Sequence, residues 1–416
     1  LGEGVGGVGG VCSSSHEAMK RILIITPKSP STNPRMRKAA DALAHEGYTV
    51  KVLWAYGTDW ADAIDQEICA QAKWESQQIG GNPVSSKLTY FFSRLFRKMH
   101  EKLGNFEKSK CRSSRRYISE GINWKPGLVI GHNPGALGPA SKIAEHLNIP
   151  SLFDAEDYHR GESFVVRENQ EVATAQLENQ YIPRFTQLTS AAPLISEAYE
   201  GHYPQHKVVT VNNAFSKKLQ PPAPNSMTGP LKIIWFSQVV GLDRGLKEFL
   251  QGLRLISDVP IELNLLGLCS EEKNAQLTAA IKSSVHSLQF HEPRSEKELL
   301  QFIGQHEIGL ALEHPTPKNR DICRTNKLFT YPLAGCYMLL SHTASQEQFL
   351  KEWPATGALI DLNTPATIAR QLKWCFENRE ELLARRMASW KLASETLNWE
   401  VESKQLTQLV QKVLAP

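Results

Sequence analysis

The chain has 416 residues, 41% of them hydrophobic, 22% charged and 8% aromatic, a globular mixture that excludes wholesale disorder and is long enough for two domains of about 100–200 residues each. Lys plus Arg number 47 against 43 Asp plus Glu, a net +4, far from the charge of a dedicated nucleic-acid binder, so no nucleic-acid partner is expected. The seven Cys form no CxxC pair, which argues against a disulfide framework or structural zinc site and for a reducing cytosol.

Residues 1–18 carry six Gly in their first ten positions and lack the basic and apolar regions of a signal peptide. They read as a non-native or disordered extension ahead of Met19. KRILIIT at 20–26 is a β-branched run suited to a buried parallel strand. Asn33 as N-cap, Pro34 at the first helical position, apolar Met36, Ala40 and Leu43, and Gly47 as stop predict a helix. YTVKVL at 48–53 then closes a βαβ unit. GLVIG, a helix over 136–147, SLFD, a charged helical stretch, a helix from Pro193 and KVVTV at 207–211 continue the alternation. These form a first domain over 19–216.

One stretch interrupts it. Residues 86–117 hold ten basic residues against Glu101 and Glu107, a local +8, with Tyr90, Phe91, Phe92, Leu95, Phe96 and Met99 at rough helical spacing. Two main readings stay open, attachment to an anionic membrane surface or a helix whose aromatic side packs on its own domain while its charges face water, with RNA binding a third and lesser one.

LQPPAPNSMTGP at 219–230, with four Pro and one Gly, reads as a linker, taken as 217–230. Strand-like runs LKIIWF, IELNLLG, IGLAL, YMLLS and a short one near 358–361 alternate with helices beyond it, so a second domain spans 231–395. The predicted class is α/β, two doubly wound parallel sheets with ligands beyond the carboxyl ends of the strands in a cleft between the domains.

FSQVVGLDRGL places Ser237, Gln238 and Arg244 between a strand ending at Phe236 and the helix after it, where backbone N–H groups and a guanidinium can meet a diphosphate. In RTNKLFTYPLAG, Thr325 and Asn326 are the expected cap and Lys327 lies on the first turn. Together these stretches resemble the C-terminal domain of the GT-B glycosyltransferases, in particular the group-one (family-four-like) retaining enzymes. RILIITPKSP, NPRMRKAADALAHEGYTVKVL and IGHNPGALGPASKIAEHLNIPSLFDAEDYHRGE are similar to their N-terminal domain. The resemblance implies the GT-B fold, with 396–416 as a helix crossing back to the first domain.

By position it implies that Arg244 contacts the donor diphosphate and that Asn326 and Lys327 approach diphosphate and ribose. The family's E-x7-E pair falls on Ile322 and Thr330 here, a departure that leaves Asp321 or Glu313 to supply a carboxylate to donor hydroxyls. On the acceptor side, where many relatives carry His after Asp-Ala, this chain has Glu156, followed by Asp157 and His159. These three are the candidate catalytic residues, with Arg35, His132 and Asn133 as further cleft candidates. The implied activity is transfer of a sugar from a nucleotide-sugar donor to a glycan or lipid-linked acceptor, with retention, in cell-surface polysaccharide or glycoconjugate synthesis. No cofactor and no metal are expected, and the setting would be cytoplasmic, peripheral to the inner face of the plasma membrane. The alternatives are a nucleotide-sugar epimerase or phosphorylase on the same fold, or a sugar- or nucleotide-binding protein without catalysis.

Overall fold

The computed structural model describes residues 20–162, 168–281 and 285–415, so the expectation for residues 1–18 falls outside the described residues. The chain divides into two compact units: one takes the residues through Val211 together with those from Ser403 onward, the other is Asn212–Glu402.

In the first unit the elements run β1 (Arg21–Ile25), α1 (Pro34–His45), β2 (Thr49–Ala55), α2 (Asp59–Gln71), β3 (Glu75–Ile79), α3 (Lys87–Lys102), α4 (Phe106–Lys110), α5 (Ser114–Trp124), β4 (Leu128–His132), α6 (Leu137–Leu147), β5 (Ser151–Ala155), α7 (Glu168–Tyr181), β6 (Gln187–Ser190), α8 (Pro193–His202) and β7 (Val209–Thr210). The strands form one sheet in the order β3-β2-β1-β4-β5-β6-β7, parallel throughout. Helices cover both faces, so Ile22 to Ile25 and Leu128 to Ile130 are buried and read as unbroken apolar runs. Asn33 caps α1 as expected, accepting from the Met36 N–H with Pro34 behind it. The strand order reverses between β1 and β4, which opens a crevice at their carboxyl ends.

The second unit contains β8 (Leu231–Val239), α9 (Leu246–Leu253), β9 (Ile261–Leu268), α10 (Glu271–Ala280), β10 (His286–His291), α11 (Glu296–Ile303), β11 (Ile308–Ala311), α12 (Lys318–Ile322), α13 (Lys327–Leu333), β12 (Tyr337–Leu340), α14 (Ala344–Glu352), β13 (Gly357–Leu359), α15 (Pro365–Glu377), α16 (Arg379–Glu395) and α17 (Trp399–Leu414), of which residues from Ser403 belong to the first unit. Its six strands are ordered β10-β9-β8-β11-β12-β13, again all parallel. Here the switch point lies between β8 and β11. Two apolar clusters, one around Trp235, Phe249 and Leu372 and one around Phe329, Tyr331 and Phe349, fill the two faces of this sheet.

Three local expectations change. β8 does not stop at Phe236 but runs to Val239 through an irregularity between those residues, so Ser237 and Gln238 are strand residues. The Pro-rich segment is fastened to the second unit: Trp390 donates to the Pro221 carbonyl at 3.0 Å and buried Arg386 to that of Asn225 at 3.3 Å. Asn326 precedes α13 with helical dihedrals and no side-chain cap.

Candidate functional site

The carboxyl ends of β8 and β11 gather the charged groups of the second unit. β11 leads into Glu313, whose backbone is clamped by Ser341: the Glu313 N–H donates to Ser341 Oγ at 2.8 Å, and that hydroxyl donates to the Glu313 carbonyl at 2.6 Å. The Glu313 side chain is 2% exposed, and neither carboxylate oxygen has a hydrogen-bond partner among the described residues. Three cations stand around it just beyond hydrogen-bond range. Arg244 Nη1 and Lys327 Nζ are each 3.6 Å from Oε1, and Arg320 Nε is 3.9 Å from Oε2. Arg320 also faces the exposed Asp243 carboxylate at 3.7 Å, which leaves the cluster with a positive excess.

Local chain geometry explains how these groups arrive together. Gly245, φ 79°, ends the approach to α9 in a left-handed conformation, and a Cβ there would meet Leu362 at 2.7 Å. Arg244 is thereby held at the head of α9. Lys327 comes from α13, every residue of which is buried. That helix is pressed onto β11 at Gly309, where a Cβ would strike the Tyr331 ring at 2.3 Å. Tyr331 Oη also donates to the Ile234 and Leu310 carbonyls, both at 3.2 Å. The Lys327 ammonium lies 5.1 Å from the Trp235 ring centroid and has no hydrogen-bond partner among the described residues. Burial pushes its pKa below the ordinary lysine value; Glu313 opposes the shift, whereas Arg244 and Arg320 reinforce it.

Other donor-side candidates are committed elsewhere. Asp321 accepts from Lys318 Nζ at 2.7 Å and from the Ala344 N–H at 2.8 Å, capping α14. Of the two carboxylates considered, Glu313 is therefore the one among the cations. Thr330 is fully buried and donates to the Asn326 carbonyl at 2.7 Å. Its hydroxyl serves its own helix, where the family pattern has a Glu. Arg320 has no motif to mark it; its only signal is a basic residue nine positions after the β11 run, on short α12.

At the switch point of the first unit a second polar cluster forms. Asp154, ending β5, accepts from Arg35 Nε at 2.6 Å and Nη2 at 2.7 Å and from Thr189 Oγ1 at 2.6 Å. Arg35 Nη1 donates to the Val211 carbonyl at 2.6 Å. This guanidinium, one of the cleft candidates, is 3% exposed and ties Asp154 of β5 to the Val211 carbonyl instead. The correction has a plain cause: its counter-ion is 119 positions away in the chain. Burial alone would raise the Asp154 pKa, but Arg35 and His132 hold it well below the carboxylate range. His132 Nδ1 is 3.1 Å from Asp154 Oδ2. Asn133 accepts from Asn33 Nδ2 at 3.0 Å and donates to Glu156 at 3.3 Å. Asn133 and Glu156 are thus linked, while His132 faces Asp154.

His159 is buried, its Nδ1 is 2.5 Å from Glu162 Oε1, and its Nε2 has no partner among the described residues. Burial lowers its pKa but the Glu162 hydrogen bond and charge outweigh that and raise it; the same pairing lowers Glu162. Asp157, His159 and Glu162 bring one ligand-type atom each within 4.8 Å of one another. Glu162 was not singled out from the sequence, although its i, i+3 spacing from His159 was readable.

No protein-family profile matches the chain, and no curated protein matches it. Solved structures do. HepE of Anabaena in complex with UDP-glucose superposes with a TM-score of 0.67 at 12% identity, covering 94% of this chain and 99% of that one. Sucrose-phosphate synthase of Thermosynechococcus elongatus gives 0.67 at 12%, covering 94% and 98%. A UDP-N-acetylglucosamine 2-epimerase of Listeria monocytogenes, so described with the qualifier putative, gives 0.56 at 12%, covering 94% and 96%. At such identities the shared property is the fold, two Rossmann-like parallel-sheet units of the GT-B type.

Proposed function

We propose that this chain is a glycosyltransferase that takes a nucleotide-sugar donor in its second unit and transfers the sugar, with retention, to a glycan or lipid-linked acceptor. The observation that carries the reading is the Arg244, Arg320 and Lys327 group around a buried Glu313 carboxylate, at the switch point of a parallel sheet, with the Lys327 ammonium and the carboxylate lacking hydrogen bonds among the described residues. A diphosphate brings oxygen acceptors and negative charge to cations already held in place. Negative charge builds on the departing phosphate as the glycosidic bond to the donor breaks, so these cations favour the transition state over the ground state. They supply there the positive charge that a metal provides in other sites, and the reading requires no resident ion. Glu313 also stands where it can accept from a donor hydroxyl.

Glu156, Asp157 and His159 fit the acceptor side. Asn133 orients Glu156 and Glu162 orients the His159 ring, so the acceptor hydroxyl would be positioned by groups whose own rotamers are fixed. The likenesses support this reading through HepE, which was solved with UDP-glucose. The test is a thermal-shift and calorimetric screen of nucleoside diphosphates. At a hundredfold excess over Kd a ligand stabilises by about 2.7 kcal/mol, and absence of any such shift across the panel refutes the reading.

Thr330 favours a second reading, a binding protein without catalysis, because its hydroxyl is spent on its own helix. Tight binding of a nucleotide sugar with neither transfer nor hydrolysis over a broad acceptor panel would select it. Isomerisation of the sugar without acceptor would select the epimerase alternative.

A further inference from the structure

Helix α3 turns its apolar side outward. Ser93 and Tyr90 hold it to the body of the first unit: Ser93 Oγ donates to the Gly80 carbonyl at 2.7 Å, and the Tyr90 ring stands edge-on to Tyr56 at 5.5 Å with the Arg112 guanidinium over it at 4.9 Å. Leu88, Phe91, Phe92, Leu95, Phe96, Met99 and Leu103 recur at helical i, i+3, i+4 spacing on another side. All seven are exposed, Leu88 to 75%, Phe91 to 61% and Phe96 to 54%. Of the readings left open by the sequence, packing of this face on its own domain is thus not what the fold does. A single solvated Phe is ordinary, but a continuous stripe of seven large apolar side chains marks an interaction surface.

Charge identifies the partner. Residues 86–117 carry ten basic side chains and two acidic ones. One acid, Glu107, is consumed internally by Lys142 Nζ at 2.5 Å and Tyr181 Oη at 2.6 Å. Beside the stripe, α3, α4 and the start of α5 enclose a cavity of about 340 Å³ with Phe96 and Met99 as apolar lining and Arg97, Lys108 and Arg115 as cationic lining. An apolar stripe, a basic flank and a basic cavity beside them match, in that order, the acyl region, the surface potential and the phosphate of an anionic phospholipid layer. Single-stranded RNA fits less well, since it stacks bases on aromatic platforms between cations, whereas four of the seven exposed residues here are aliphatic.

We infer that α3 lies in the interface of an anionic phospholipid bilayer with its apolar stripe inserted, and that the adjoining cavity takes a lipid phosphate. Among the described residues no helix is long and apolar enough to cross a membrane, so attachment is lateral. The inference is independent of the transfer chemistry and is read out without it.

The full chain is sedimented with phosphatidylglycerol vesicles and with neutral phosphatidylcholine vesicles, each at low salt and at about 0.5 M salt. Binding to the anionic vesicles, weakened by salt and nearly absent on neutral ones, is expected. Phe92→Glu/Phe96→Glu should abolish it with an unchanged melting curve, because both rings are solvated. Neutralising charges should cost about fivefold in partition coefficient per basic residue. Lys108→Gln/Arg115→Gln, which line the cavity, should lose more than Lys87→Gln/Lys102→Gln, which remove equal charge elsewhere; equal losses overturn the cavity assignment. Equal pelleting with neutral vesicles, no pelleting at all, RNA binding in place of vesicle binding, or a dimer that Phe92→Glu/Phe96→Glu dissociates would each overturn the inference.

Discussion

Replacing Lys327 by methionine pits a ligand role against a structural one, because the two predict opposite signs. In the free protein the ammonium is buried, makes no hydrogen bond among the described residues and lies 3.6 Å from Glu313. At an effective dielectric of about 20, attraction over that distance is worth roughly 4–5 kcal/mol. Desolvating the ammonium costs several kcal/mol, and Arg244 and Arg320 repel it. The terms nearly cancel, and Glu313 keeps both arginines when Lys327 is gone. Lys327→Met should therefore leave the free protein as stable as the parent, within about 1 kcal/mol in urea unfolding, or slightly more stable. With a diphosphate bound, the lost charge-assisted hydrogen bond is worth about 1.5–3 kcal/mol, a rise of about 10- to 150-fold in the Kd for UDP measured by calorimetry. A variant that unfolds several kcal/mol more easily yet binds UDP with unchanged Kd would show that Lys327 is a structural counter-ion, and the donor-site reasoning would fall.

The same cluster sets a pH dependence. Lys327 titrates below the ordinary lysine value, and an arriving anion favours its charged form, so UDP binding should take up protons on the alkaline side and weaken as pH rises through the free-state pKa. Calorimetric enthalpies that do not differ between alkaline buffers of unlike ionisation enthalpy would contradict this. Arg244→Ala removes a side chain that is 39% exposed; it should change stability by no more than about 0.5 kcal/mol while erasing the UDP-induced thermal shift. Asp154→Asn leaves the buried Arg35 guanidinium without its bidentate partner and should cost about 3–5 kcal/mol of unfolding free energy. Because the Asp154 pKa is lowered in the fold, the stabilisation it contributes is present above the unfolded carboxylate pKa and fades as pH falls toward the folded one, so parent and variant should converge in strong acid. Gly309→Ala should displace α13 through the Tyr331 contact, destabilising by about 1–3 kcal/mol and weakening UDP binding with it; unchanged affinity would uncouple that helix from the site.

Both sheets were legible because parallel strands covered on two faces are written as apolar runs, as in RILII and LVIGH. β3, ESQQI at the sheet edge, and β6, QLTS, escaped notice because their residues are polar; buried Ser190 is satisfied by Ser196 Oγ at 2.7 Å and by the Ala192 carbonyl at 2.9 Å. In the second unit the motif residues Arg244 and Lys327 were visible, but which acid stood beside them was not. Asp321 and Glu313 look alike in one dimension; the bonds from Lys318 and the Ala344 N–H to Asp321 separate them. Arg35 misled for a related reason. Its charge is written in the sequence, whereas its burial depends on Asp154, on a different strand.

The carboxylate at the centre of the cation group has a consequence for which solutes can occupy it. Glu313 already occupies the favourable potential that its three neighbours create, so an incoming ion competes with a built-in occupant. A monovalent solute such as chloride gains little by the exchange. A polyvalent one would gain on each added charge, so a cluster built this way would favour small anions of higher valence.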